Sequence, residues 1–79
     1  MRVRIEVSSG LRRHIPDYDA RQGVVRVLPP GARLDELLVL LGLPADEVSL
    51  LMVNRAAVKG DRRLEDGDLV GIFPTMEGG

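Results

Sequence analysis

The chain has no cysteine among its 79 residues. Disulfides, thiol nucleophiles and cysteine metal sites are therefore excluded. Lysine is almost absent: Lys59 stands alone, and the remaining basic residues are all arginine. A GC-rich genome accounts for that bias, with adaptation to heat as the second explanation. Histidine occurs once, as His14. It has no second ligand or base nearby in sequence, so an exposed loop imidazole is expected. No apolar run approaches the roughly 20 residues of a membrane span. The N-terminus alternates charged and apolar residues, unlike the apolar core of a signal peptide. A cytoplasmic location is compatible with both absences. The net charge of −1 gives no reason to expect nucleic acid or an anionic membrane as partner. Asp17, Tyr18 and Asp19 lack the spacing of a calcium loop. No nucleophile–base pair, metal-ligand spacing or phosphate loop appears, so neither a bound metal nor an enzymatic activity of its own is expected.

What is present is a chain sized for one core. Its composition, 44% hydrophobic and 29% charged, is that of a globular domain and too apolar for disorder. Arg2 to Val7 alternates strictly, which puts Val3, Ile5 and Val7 on one face of a strand. Ser8-Ser9-Gly10 breaks it. Leu11 to Gln22 reads as a long polar hairpin loop, with Arg12 and Arg13 expected in solvent. Val24 to Leu28 is a second strand, with Val25 and Val27 expected inward. Pro29-Pro30-Gly31 ends it. Leu34, Leu37, Leu38 and Leu41 then recur at helical spacing. Asp35 and Glu36 suit the helix dipole at that end. Arg33 or Ala32 is a poor cap, so the helix start is expected to fray. Gly42 fits the left-handed position after the helix, and Pro44 forbids continuation.

Val48 to Val53 is a further apolar strand, Asn54-Arg55 a turn, and Ala56 to Lys59 a short return strand. Leu64 is expected to plug the core from a charged connection. Asp66-Gly67 is a turn signal ahead of a last strand, Leu69 to Phe73. Pro74 cannot donate to a ladder, so pairing is expected to stop there. A single leucine stripe needs a sheet to cover it. The element order fits an α+β fold with a mixed sheet of four to five strands. One main helix packs on one face, and the first and last strands pair centrally in parallel. That is a β-grasp, occupying residues 1–73, followed by a flexible tail over 74–79.

Alternation assigns Val70 and Ile72 inward with Leu51 and Val53. It sends Phe73, Leu50 and Met52 to the opposite face, where an apolar patch near the tail makes a docking surface. Phe73 is its best anchor, since aromatics dominate such contacts. The tail ends in Gly78-Gly79, whose lack of side chains suits passage through a narrow channel.

The run from Leu64 through Asp66-Gly67-Asp68, the strand ending Phe73-Pro74, and Gly78-Gly79 together resemble the prokaryotic ubiquitin-like sulfur-carrier family of the MoaD and ThiS type. Val25-Arg26-Val27, Pro30-Gly31, Leu37-Leu38 and Asn54 support the likeness, which covers almost the whole chain. Phe-Pro before the tail is more MoaD-like. Arg33 stands where the family often has Thr or Ser, and the Leu11 to Gln22 loop is distinctive. The resemblance implies a carrier that is not itself an enzyme and is monomeric when free. A ubiquitin-activating-type adenylating enzyme would use ATP and Mg²⁺ to activate the Gly79 carboxylate. Gly78, Glu77 and Met76 would be read in the tail. A sulfur-transfer enzyme would then supply sulfur for a thiocarboxylate. The acceptor partners it implies are a molybdopterin synthase large subunit or a thiazole synthase; tRNA thiolation also draws on this scaffold. The alternatives are a ubiquitin-like modifier forming isopeptide bonds through Gly79 and a non-covalent β-grasp binding module.

Overall fold

The computed structural model describes residues 1–74. Five strands, β1 (Arg2–Val7), β2 (Val24–Val27), β3 (Val48–Val53), β4 (Ala56–Val58) and β5 (Leu69–Pro74), form one sheet in the order β2-β1-β5-β3-β4. β1 and β5 pair in parallel at its centre, and the other pairings are antiparallel. One helix, α1 (Leu34–Leu40), crosses between β2 and β3. This is the expected β-grasp, with the fifth strand present. No helix among the described residues is long and apolar enough to cross a membrane.

Directly paired residues share a face, so the core reads as rows across the sheet. One row is Val24, Ile5, Val70 and Val53; the next is Val7, Ile72 and Leu51. Leu34, Leu37 and Leu41 of the helix stripe close over them, with Leu43 and Leu64 buried beside them. The face of β2 differs from expectation. Val24 and Leu28 are buried, while Val25 and Val27 are exposed, Val27 at 72%. The cause is register. Val24 lies opposite buried Ile5, and Leu28 exchanges hydrogen bonds with Met1 (2.8 Å each way). A one-residue offset then turns Val25 and Val27 outward. Arg26 falls on the core side at the sheet edge, where Asp17 receives both guanidinium nitrogens at 2.9 Å. That hydrogen-bonded contact holds the Asp17 carboxyl below its ordinary range and raises Arg26. A charge placed there also discourages edge-to-edge pairing.

The segment after β1 is not the polar loop expected. Ser9–His14 forms a 3₁₀ helix, and Leu11 and Ile15, only 1% and 2% exposed, enter the core. About two tight turns bring two isolated apolar residues into the core, a pattern too short to register as a periodicity. His14 is half-buried rather than exposed, with Nε2 3.2 Å from Glu47 Oε1. Arg13 pairs with the same carboxylate. The hydrogen bond from His14, with the Arg13 charge, holds the Glu47 carboxyl below its usual range.

Nor is the helix start uncapped. The Leu34 and Asp35 N–H groups donate to the carbonyls of Arg62 and Gly60 at 2.9 and 2.8 Å. The Glu36 carboxylate accepts from the Arg33 N–H at 2.9 Å. The Leu34 and Asp35 donors of the first turn are thus met by backbone from the 59–64 connection, and the Glu36 side chain closes back on the residue before them. At the other end Gly42 (φ 72°) donates to Val39, and Leu43 donates to Leu38. This is a Schellman closure, with Leu43 supplying the buried contact.

Asp68 is the one buried charged residue among those described. Its oxygens accept from Asn54 Nδ2 (3.0 Å) and the Glu65 N–H (2.8 Å). Asn54 Oδ1 in turn accepts from the Leu69 N–H (3.0 Å). Asn54 and Arg55 both have positive φ, as a two-residue type I′ hairpin requires. The network therefore ties that hairpin to the turn before β5. Asp66 Oδ1 adds a contact to the Arg2 N–H (2.7 Å).

Two outcomes follow for chemical denaturation. Leu11→Ala should cost about 2–5 kcal/mol, as a core deletion does; a loop residue in solvent would cost a few tenths at most. Asp68→Ala should cost about 1–3 kcal/mol, because two donors lose their acceptor in a partly buried place. A neutral result would remove the network from the structural account.

Candidate functional site

The helix covers one face of the sheet and leaves the other open. The same pairing that fills the core fixes what lies there. Leu50 is opposite Phe73, Met52 is between Gly71 and Ala57, and Arg4 is between Val25 and Leu69. Leu50 is 43% exposed, whereas Met52 and Phe73 are half-buried. The structure thus brings Phe73, Leu50 and Met52 together on the open face, at the end of the sheet where β5 finishes.

Their conformation adds something the sequence did not disclose. A methyl group placed on Gly71 would lie 3.1 Å from Phe73 Cε2 and 3.6 Å from Met52 Cβ. The Phe73 ring therefore lies back over the bare backbone of Gly71, two residues earlier on its own strand. It forms a flat apolar floor rather than an upright knob. A shallow depression of about 230 Å³ opens here, bordered by Phe73, Gly71, Met52, Leu69, Glu6 and Arg55.

β5 extends through Pro74, paired with Val48, one residue beyond the expected stop. The ladder is irregular between Val48 and Leu50, which accommodates a residue without an N–H. The expected recognition and loading residues Met76, Glu77, Gly78 and Gly79 lie outside the described residues, as does the tail from Thr75 onward.

A second depression, about 270 Å³, shares Phe73 and Glu6 with the first. Its far wall is the β1–β2 connection: Ser8, Arg12, Tyr18 and Arg21. Arg12 is not a freely solvated arginine there. Its Nε donates to the Val7 carbonyl (3.2 Å), and its guanidinium carbon stands 5.0 Å from the centroid of the Tyr18 ring. The Tyr18 hydroxyl also meets both backbone groups of Val7, at 3.0 and 3.3 Å. No sequence spacing announces this arrangement. Among the described residues, no group of three or more His, Cys, Asp or Glu side chains is placed to hold a metal ion.

Comparison with known proteins agrees with this architecture. A chain provisionally named molybdopterin converting factor, subunit 1, from Pyrococcus furiosus superposes with a TM-score of 0.74 at 23% identity. The match covers 96% of this chain and 99% of that one. SAMP1 from Haloferax volcanii also gives a TM-score of 0.74, at 16% identity, with both chains covered completely. At such identities the likeness establishes the fold. No curated protein sequence matches. The model of the family described as Mut7-C ubiquitin matches residues 1–78, nearly the whole length, so this chain, with its ubiquitin-like sheet and single covering helix, is a member of the Mut7-C ubiquitin family.

Proposed function

We propose that this protein is a sulfur carrier whose Gly79 carboxylate is the group loaded. One observation carries the reading. The central strand β5 is held between β1 and β3 and ends at Pro74 beside the apolar floor of Phe73, Leu50 and Met52. It leads directly into Thr75-Met76-Glu77-Gly78-Gly79. A rigid body with an apolar face at the root of a Gly-Gly terminus suits delivery of that terminus into another protein's site.

The chemistry then belongs to partners, and this chain supplies position. In a ubiquitin-activating-type adenylating enzyme, a carboxylate oxygen of Gly79 attacks the α-phosphorus of Mg²⁺-bound ATP, and pyrophosphate leaves. The acyl-adenylate now has a good leaving group. A persulfide on a sulfur-transfer enzyme attacks the acyl carbon and releases AMP. A second thiol of that enzyme attacks the enzyme-side sulfur of the resulting acyl disulfide, forming a disulfide within the enzyme and freeing the thiocarboxylate on Gly79. That sulfur passes to a cofactor precursor, with molybdopterin favoured by the Phe-Pro ending and by the name of the Pyrococcus neighbour. A molybdopterin synthase large subunit is then the receiving partner; a thiazole synthase serves the thiamine case. Gly78, with no side chain, keeps the channel passable, and Glu77 and Met76 are the tail's readable side chains.

The Haloferax neighbour favours a second reading. SAMP1 is a ubiquitin-like small archaeal modifier, and a modifier would use the same adenylate to acylate a lysine amine. Both readings share the first step.

That step is tested with the adenylating enzyme of the same organism. The full-length protein should support ATP–pyrophosphate exchange. A form ending at Glu77 should support none while melting at the same temperature; equal exchange by the two would end the proposal. Phe73→Asp should weaken binding to that enzyme on the order of tenfold or more with the fold retained, checked by calorimetry and circular dichroism. Gly71→Ala should change stability by less than about 1 kcal/mol, because the displaced ring is at the surface. It should lift Phe73 off its strand, seen as loss of the ring-current shift on the residue 71 α-protons. An unmoved ring would contradict the packing described.

A further inference from the structure

The β1–β2 connection, Ser8 to Gly23, builds one wall of the depression that begins at Phe73, and the carrier reading leaves it without a task. Arg12 is its informative residue. Three contacts fix it in place: its Nε on the Val7 carbonyl, its guanidinium over Tyr18, and Tyr18 itself anchored on Val7. Among the described residues, neither Nη of Arg12 has a hydrogen-bond or ion-pair partner. The side chain has thus already lost the freedom that binding would remove, while the planar end remains open.

The surroundings favour an anion. Arg21 is exposed on the same wall. The Ser8 Oγ is buried there without a partner. Glu6 stands on the opposite rim and forms no ion pair with either arginine. Two cations therefore line the depression with one carboxylate, although the protein as a whole is slightly acidic.

We infer that this cleft receives an aspartate or glutamate side chain of the protein that docks on the Phe73 floor, with Arg12 gripping it through both Nη atoms. The inference rests on the proposed function for the identity of that protein, the adenylating enzyme. A planar fork matches a carboxylate bidentately. A free small anion is disfavoured as occupant, because one exposed ion pair contributes too little to hold it alone. Within a larger interface the same pair adds to the apolar contact next to it and selects the partner by charge. Single-stranded nucleic acid is disfavoured because it needs a track of stacking rings, and Phe73 and Tyr18 are the only aromatic residues in the chain.

The test measures the affinity of the full-length protein for the adenylating enzyme at several salt concentrations. Arg12→Ala should weaken binding on the order of tenfold or more and flatten the salt dependence. Arg12→Lys should recover little, because an ammonium has no fork. Tyr18→Phe keeps the ring and loses the Val7 anchor, so it should fall between wild type and Arg12→Ala. Arg62→Ala, in the connection that caps the helix, is the control and should bind as wild type. Should Arg12→Ala melt below the assay temperature, Arg21→Glu, at an exposed position, should show the same loss. Wild-type affinity in Arg12→Ala overturns the inference alone. Full rescue by lysine overturns the bidentate grip. An oligouridylate that binds with the same dependence on Arg12 overturns the protein partner. If the enzyme does not bind even the wild type, the proposed function falls first and this inference falls with it.

Discussion

The parallel pairing of β1 with β5 is the constraint on which the rest of the structure depends. It joins the first strand to the last and sets the register of both neighbours. It is pinned at one end by the turn before β5. Asp66 and Gly67 contact the backbone of Arg2, and the Arg4 N–H donates to the Asp68 carbonyl at 3.0 Å. A slip of one residue would expose Val70 and Ile72 and bury Phe73. The core and the open face are therefore two consequences of one register. Because these contacts span nearly the whole chain, the sheet cannot close before its last strand arrives, and closure of so long a loop is entropically costly. The Asn54–Asp68 network, by tying the β3–β4 hairpin to the same turn, confines β5 from its other side.

What the sequence disclosed, and what it concealed, follows from how far the deciding contact lies from the residue concerned. The strict alternation of Val3, Ile5 and Val7 and the stripe of Leu34, Leu37, Leu38 and Leu41 are local patterns, and all of these residues are buried as read except Leu38, which is partly buried against the core. β2 has valine at three of its four positions, so periodicity could not choose its face; pairing with Ile5 and Met1 chose it. Leu11 and Ile15 enter the core through a short 3₁₀ helix, too short for any periodic signal. The helix cap is made by the carbonyls of Gly60 and Arg62, which carry no side-chain signature. Arg12 looked like one of a solvated pair, and only the fold places Tyr18 beneath it. The grouping of Phe73, Leu50 and Met52 on one face was legible from alternation, but the recumbent ring over Gly71 was not.

These features divide the molecule into a body that fixes position and a terminus that would bear the chemistry. The buried Asp68 is consumed by structural hydrogen bonds, and the Glu47 carboxylate by His14 and Arg13. The groups proposed for recognition gather at one end of the sheet, where the Phe73 floor and the Arg12 cleft share an edge. An apolar floor contributes affinity without orientation, and a fork contributes orientation with little affinity. Set side by side at the root of the tail, they would aim it.

The central claim is that Gly79 carries sulfur, and the most direct measurement is the intact mass of the protein isolated from its own cells. The account predicts a population in which one terminal oxygen has been exchanged for sulfur, located on Gly79 by fragmentation and absent from cells lacking the adenylating enzyme. Gly79 found only as a free carboxylate, or only in amide linkage to lysine side chains of other proteins, would contradict it.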